Sequence, residues 1–496
     1  MKTKLMYLGT AIAVIAVMVV FGKIDAENGT KRYMQHKEQL PETERPEEEF
    51  STHLPIVSID TNGEEILWLS QGGYLYDSSN HVVSDELFTG DESLLDISCT
   101  TSVVSGEGEW HGLQDEVDFT STATIRVRGN SSRLFDKKSY LLKFVEKDGE
   151  EKNVSVIGMD KASEWVLHGP FLDRTLLRNY LCYNVAGQVM DYAPDVRYCE
   201  LFLNGEYQGL YLMVEAISRD EGRIEMTKPE RGSNVTSWIV RLDRAGKGDT
   251  PLNNFTTYTL QTGVSEVDLR YPGADTLTPE RLAYVENDLS EIERAIYSTD
   301  RSDPAKGYQA YIDKEALAQY FVLNEFFGNV DAGRFSTYYY KDVRGKVIPV
   351  VWDFNNGCDN YFDYVYDVEG FNMMESPWFG ELLKDEAFVK EVIAQYRSMR
   401  EGVLSDENLC TMIDDTVLYL GDAVDRNYEK YGYVFDLSET DGINYLQPVE
   451  RNAESYEESI QQLKDWLTAR GAWMDANIDS LQQYSHESKN VTEVIE

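Results

Sequence analysis

The chain of 496 residues predicts an α+β fold, strand-rich over its first part and mainly helical over its last third. Three observations carry that expectation. Short β-prone runs separated by Gly, Asn and Asp clusters fill Pro55 to Phe144. An Asn-Gly pair at Asn204-Gly205 lies between two apolar runs, the strongest short hairpin signal, because both residues tolerate positive φ. Finally, Tyr456, Ile460, Leu463, Leu467, Met474, Ile478 and Leu481 keep a helical spacing that reads as a packing stripe. With 42% hydrophobic and 12% aromatic residues, the chain has enough apolar material for a core, and global disorder is excluded.

The first thirty residues differ in kind. Lys2 and Lys4 precede an apolar run from Leu5 to Phe21 broken only by Gly9 and Thr10, the pattern of an export signal. A run of this length lies between a signal peptide and a spanning helix, which needs about 20 residues. Gly22-Lys23-Ile24-Asp25-Ala26 lacks small residues at both positions of a cleavage site, so retention as a membrane anchor is expected, with cleavage and secretion as the alternative. Residues 27–49, polar and rich in Glu and Pro, read as a disordered tether. The expected organisation is a signal or anchor segment at 1–26, that tether at 27–49, one main domain at 50–484 and a polar tail at 485–496.

Along the main domain, Ile56-Val57-Ser58-Ile59, Ala123 to Arg128 and Ser139 to Phe144 are strands. A helix follows, with Asp173 as N-cap and Leu176, Leu177, Tyr180, Leu181 and Val185 on its apolar face; Arg178 and Asn179 fall off that stripe. Arg197 to Leu203 and Tyr207 to Glu215 form the Asn-Gly hairpin. Between Ile217 and Ser298 the pattern is mixed, ending in an acidic helix over Pro279 to Tyr297. A further helix runs from Asp313 to about Phe327, stopped by Gly328.

A formal charge of −41 repels phosphate backbones, and no basic patch offsets it: the densest basic stretch, Lys137, Lys138, Lys143 and Lys147, lies in one strand region. A nucleic-acid partner is therefore not expected. Cys99, Cys182, Cys199, Cys358 and Cys410 show no C-x-x-C spacing, so neither a zinc site nor a disulfide framework is signalled. H-E-x-x-H, G-x-S-x-G and Walker A patterns are all missing from the sequence, which disfavours a zincin, an ordinary α/β-hydrolase and a P-loop NTPase. His168 reads as a structural histidine.

The segment with chemical content runs from Asn329-Val330-Asp331 to Trp352-Asp353-Phe354-Asn355. Ser336 to Asp342 and Val347 to Trp352 predict an antiparallel hairpin, with Thr337 roughly opposite Trp352. Asp331 and Asp353 then emerge at the same end. Two carboxylates so placed can hold a hard divalent cation together with substrate phosphates, or divide the work between proton acceptor and metal ligand. They read equally as turn and cap residues flanking a hairpin. Protein kinases show the same order of catalytic-loop Asp, short hairpin and metal-binding Asp; here Asp353-Phe354-Asn355 lacks the glycine of D-F-G.

Arg128-Gly129-Asn130-Ser131-Ser132, Lys137-Lys138-Ser139-Tyr140, Trp165 to Asn179, Leu203 to Tyr211 with Glu215, and Trp352-Asp353-Phe354-Asn355 follow one another as an ordered series from about residue 55 to 480. That series resembles the spore-coat-protein-H (CotH) kinase family. The resemblance implies an atypical protein-kinase-like fold that transfers the ATP γ-phosphoryl group to Ser or Thr of a protein substrate, with Mg²⁺ or Mn²⁺. It implies Asp331 as catalytic base and Asp353 with Asn355 as metal ligands. Lys138 or Lys143 would contact phosphate, with Glu215 pairing one of them; strand alternation points the two lysines to opposite faces, so one of them reaches the nucleotide. Arg128 and Arg178 are further phosphate-binding candidates. Many family members carry an acid where Asn355 stands, and kinase loops usually carry Asn where Ser336 stands; Asp359 or Asn360 would compensate. A non-catalytic envelope scaffold or adhesion protein is the alternative.

Overall fold

The computed structural model describes residues 32–46, 50–259, 265–440 and 442–486, and the described residues from Gln35 on form one packed unit. The expected anchor at 1–26 lies outside the described residues, as does most of the polar tail. Among the described residues no helix is long and apolar enough to cross a membrane.

Alternation of apolar and polar residues builds the first half. Strands β1 (Ile56–Asp60), β2 (Trp68–Leu69), β3 (Leu75–Tyr76), β4 (Ile97–Val104), β5 (Phe119–Arg128), β6 (Ser139–Phe144), β7 (Glu164–His168), β8 (Val196–Leu203) and β9 (Glu206–Glu215) follow in order. Seven of them close a barrel in the order β1-β4-β5-β6-β7-β9-β8. Closure comes from a parallel pairing of β1 with β8, Ile56 opposite Glu200, which leaves the barrel no free edge. Ala123, Ile125 and Val127 of β5 and Tyr140, Leu142 and Phe144 of β6 face inward, joined by Trp165, Leu167, Leu201 and Met213. Arg128, Ser139, Leu141 and Lys143 take the other parity and face out, as the alternation requires. The β2–β3 hairpin adds Trp68, stacked on Tyr76 at 4.6 Å. The β8–β9 turn has Asn204 and Gly205 at φ 52° and 79°, the conformation expected of an Asn-Gly hairpin.

A second sheet, in the order β11-β10-β12-β13, is built from β10 (Trp238–Asp243), β11 (Glu266–Tyr271), β12 (Thr337–Lys341) and β13 (Ile348–Val350). The longer helices are α1 (Arg178–Ala186), α2 (Pro279–Tyr297), α3 (Lys314–Phe326), α4 (Glu386–Arg400), α5 (Asp406–Leu420), α6 (Asp422–Tyr431) and α7 (Tyr456–Asn477). Several of these starts follow from side-chain caps: Thr278, Asp313, Ser405 and Ser455 each accept a hydrogen bond from a first-turn N–H. Chain composition is thus β-rich first and helical last, as expected; the closed barrel was not foreseen.

Two expectations need correction here. Asp173 is not the residue next to α1, yet its carboxylate still accepts the Arg178 N–H at 2.8 Å across an intervening turn, and every residue of α1 is buried, so the helix has no polar face. The supposed tether contains a short 3-10 helix, Gln35–Lys37, with Gln35 and His36 buried. Polar composition suggested disorder, but Gln35 finds both its partners on the Tyr198 backbone and His36 meets the Tyr180 hydroxyl.

Candidate active site

Helix α3 ends where Gly328 takes φ 58°. Asn329 then ties that end to the next hairpin: its N–H donates to the Asn324 carbonyl at 2.9 Å, and Nδ2 donates to Asn324 Oδ1 at 3.0 Å and to the Trp352 carbonyl at 3.3 Å. Asp331 opens a tight turn whose backbone is fixed by Arg334 and Phe335 N–H bonds to its carbonyl, at 3.0 and 2.8 Å. The β12–β13 pairing is Tyr338 to Val350, Tyr339 to Pro349 and Tyr340 to Ile348, one residue from the expected register. Asp331 and Asp353 nevertheless emerge at the same end. Asp353 sits at φ 56°, a left-handed conformation that Asp tolerates better than most residues.

What holds Asp353 there is α1. The Tyr183 hydroxyl accepts the Asp353 N–H at 3.0 Å, and Asn179 Oδ1 accepts the Phe354 N–H at 2.7 Å. Arg178 donates to the Gly357 and Cys358 carbonyls at 3.0 and 3.2 Å while pairing with buried Asp173 at 2.6 Å. The two residues that fell off the apolar stripe are therefore the ones that clamp the Asp353 loop. Arg178, expected to bind phosphate, turns most of its donors to this loop and to Asp173. Asn179→Ala is expected to leave the Phe354 N–H buried and unpaired, destabilising the protein by about 1–3 kcal/mol and raising hydrogen exchange at Phe354.

Burial dominates the electrostatics. It pushes the Asp353 carboxyl up to about 6, with the Arg128 charge opposing and the Asp331 and Asp243 charges adding to the rise. Burial raises Asp331 too, against the Arg244 charge and a 3.1 Å hydrogen bond from Asn356 Nδ2. Asp243 and Arg244 were missed by sequence reasoning. The β10–β12 pairing of Leu242 with Thr337 brings them alongside the Asp331 turn, and the Arg244 guanidinium lies 3.7 Å from the centre of the Phe335 ring. The only sequence signal was a strand-like run, Trp238 to Leu242, ending in Asp-Arg.

Of the remaining candidates, Arg128 and Asn355 join the site. Arg128, at the outward end of β5, lies over the Trp352 ring at 5.7 Å. Asn355 Oδ1 is buried with no hydrogen-bond partner, an orphaned oxygen suited to a hard cation. Among the described residues no three His, Cys, Asp or Glu side chains cluster as a metal site. The other three candidates are corrected. Lys138 donates to Asn80 Oδ1 at 2.5 Å and the Arg133 carbonyl at 2.7 Å, over Trp68. Lys143 pairs with Glu151 at 2.6 Å, and its partner across β5 is Thr124, whereas Arg128 is opposite Ser139 at the far end of β6. Glu215 accepts the Asp195 N–H at 2.9 Å and faces Arg223 at 3.8 Å. No Lys–Glu pair forms among these three, because alternation sets a side chain's face but not what lies opposite it. Burial pushes His168 down to about 3, which leaves it neutral, as a structural histidine.

The family model described as CotH kinase protein matches residues 125–474. The chain belongs to the CotH kinase family. No curated protein matches it. The matched CotH region holds Arg128, Asp331, Asp353 and most of α7 but starts inside β5, so the barrel strands β1 and β4 come from residues before it. A fragment starting at residue 125 is expected to expose the barrel core and aggregate.

Proposed function

We propose that this protein is an extracytoplasmic protein kinase of atypical form, transferring the ATP γ-phosphoryl group to Ser or Thr of a secreted or envelope protein. The observation that carries the reading is the convergence of Asp331 and Asp353 at one edge of the β12–β13 hairpin in a chain of a kinase family. In this reading the barrel stands for the strand-rich lobe of a kinase and the helices for the other. Asp353 and Asn355 Oδ1 would hold Mg²⁺ or Mn²⁺, which supplies charge neutralisation on the phosphates when bound. Asp331 takes the proton of the attacking hydroxyl; an O–P bond forms to the γ-phosphorus, its bond to the bridging oxygen breaks, and ADP leaves. Arg128, with no ion pair among the described residues, offers its guanidinium to phosphate.

Labelled ATP, Mg²⁺ or Mn²⁺ and a Ser-rich acceptor test the reading. Asp331→Ala is expected to lower labelling by about 10²–10⁴-fold. Equal labelling by wild type and variant sinks it.

A non-catalytic scaffold is the second reading. It is favoured by the engagement of Lys138, Lys143 and Glu215 elsewhere, together with Asn355 and Ser336 in place of the usual residues. A thermal shift with ATP and Mg²⁺ that vanishes in Asp353→Ala argues for the kinase; no shift with any nucleotide argues for the scaffold. Export through Lys2, Lys4 and the following apolar run is part of the proposal, and mass spectrometry of the mature N-terminus decides between anchor and secreted form.

A further inference from the structure

Behind the Asp353 loop lies a cavity of about 240 Å³, bordered among others by Arg174, Arg178, Arg451, Asn360, Ser459 and Gln462. Against its three guanidinium groups the lining sets a single carboxylate, Asp359. Two of the arginines are matched: Arg178 by Asp173 at 2.6 Å, and Arg451 by Asp359 at 2.8 Å. Arg174 is not. It is buried at 4% exposure, and its donors go to neutral groups, the Val434 and Asn444 carbonyls and Asn452 Oδ1. Among the described residues no carboxylate comes within ion-pair distance of it. A buried charge normally has a counter-charge, so this one is an anomaly.

Spare donors belong to residues of the same lining. A guanidinium carries five N–H groups. Arg174 keeps one on Nη1 beyond its bond to Asn452, and Arg178 keeps one on Nη2 beyond its bond to the Cys358 carbonyl. The Gln462 amide, on α7, makes no hydrogen bond among the described residues. The volume equals that of about eight waters in the liquid, more than a phosphate ion occupies.

We infer that this cavity takes a small oxyanion of phosphate size, which supplies the counter-charge that Arg174 lacks. The site is separate from the Asp331–Asp353 edge and does not rest on the kinase reading. It bears on that edge all the same. Arg178 and Arg451 hold the Gly357, Cys358, Asp359 and Tyr361 carbonyls, so an anion between them stiffens the loop that begins at Asp353.

The test is thermal unfolding of the intact chain in chelator-containing buffer, comparing 10 mM inorganic phosphate with chloride at equal ionic strength. Phosphate is expected to raise Tm by about 1–3 °C over chloride. Gln462→Glu, of nearly the same size, places a carboxylate in the cavity; it is expected to melt above wild type in chloride and to lose the phosphate response. Arg174→Gln, if it folds, is expected to lose that response too. Equal effects of phosphate and chloride on wild type overturn the inference. A phosphate shift that persists undiminished in Gln462→Glu overturns it as well.

Discussion

Replacing Asp353 by asparagine is expected to lower phosphoryl transfer at least 10²-fold while raising the melting temperature of the metal-free protein. The two effects share one cause. Burial, reinforced by the charges of Asp331 and Asp243, holds the Asp353 carboxyl at about 6, although Arg128 draws it down. In an unfolded chain the same group ionises near about 3.9. The folded value is therefore the higher one, so stability from this group is greatest below about 4 and is lost as pH rises through about 6. At pH 7.5 the ionised carboxylate weakens the metal-free fold by about 1–3 kcal/mol, and asparagine, equal in shape and uncharged, relieves this. The Tm difference between variant and wild type should shrink on acidification to pH 4. Unfolding scans across that range decide the matter; an Asp353→Asn protein less stable than wild type at pH 7.5, or one that labels its acceptor normally, contradicts this account. In the proposed reading, such a site trades stability for a place where a cation can bind.

Arg470→Met is expected to destabilise the protein by about 3–5 kcal/mol. Arg470 of α7 and Glu325 of α3 form an ion pair at 2.7 Å, exposed by 1% and 0% at their side chains. Burial is the leading influence on both groups, raising Glu325 and lowering Arg470, with each partner's charge opposing. Their attraction thus does not repay the full cost of leaving water, but removing one partner leaves the other charged in an apolar interior. Glu325 would retain only the Asn372 and Met373 N–H groups, at 2.9 and 2.7 Å. Arg470 also holds the Val368 and Gly370 carbonyls, at 2.7 and 2.8 Å, so the segment after the Asp353 loop loses its anchor. The double variant Arg470→Met with Glu325→Gln is expected to recover part of the loss, because no unpaired charge remains. Denaturant midpoints of the three proteins measure this; a double variant weaker than Arg470→Met would show that the charge is not the main term.

What the sequence made legible was local. The helix over Pro279–Tyr297 was read with its ends in place, the helix from Asp313 to the Gly328 stop was read to within a residue, and the Asn204-Gly205 turn fixed its hairpin. Asp331 and Asp353 were readable for the same reason, since only one short hairpin separates them. Barrel closure was not, because β1 meets β8 across more than a hundred residues and no period reports such a pairing. Asp243 stayed hidden likewise: β10 reaches β12 from nearly a hundred residues away. Arg178 and Asn179 stood out as polar residues off a helix stripe, yet their role required knowing that α1 is buried on all sides. The lysine assignments failed where face and position along the strand had to be known together.

Gln35 carries a practical consequence. Its amide behaves like one more peptide group beside β8: Oε1 accepts the Tyr198 N–H at 2.6 Å and Nε2 donates to the Tyr198 carbonyl at 3.2 Å. Tyr198 lies two residues short of Glu200, where β1 begins its pairing, so a side chain from twenty positions upstream stitches the seam that β1 leaves open. An expression fragment cut at residue 50, where composition first turns globular, unpicks that stitch. One cut before residue 35 keeps it.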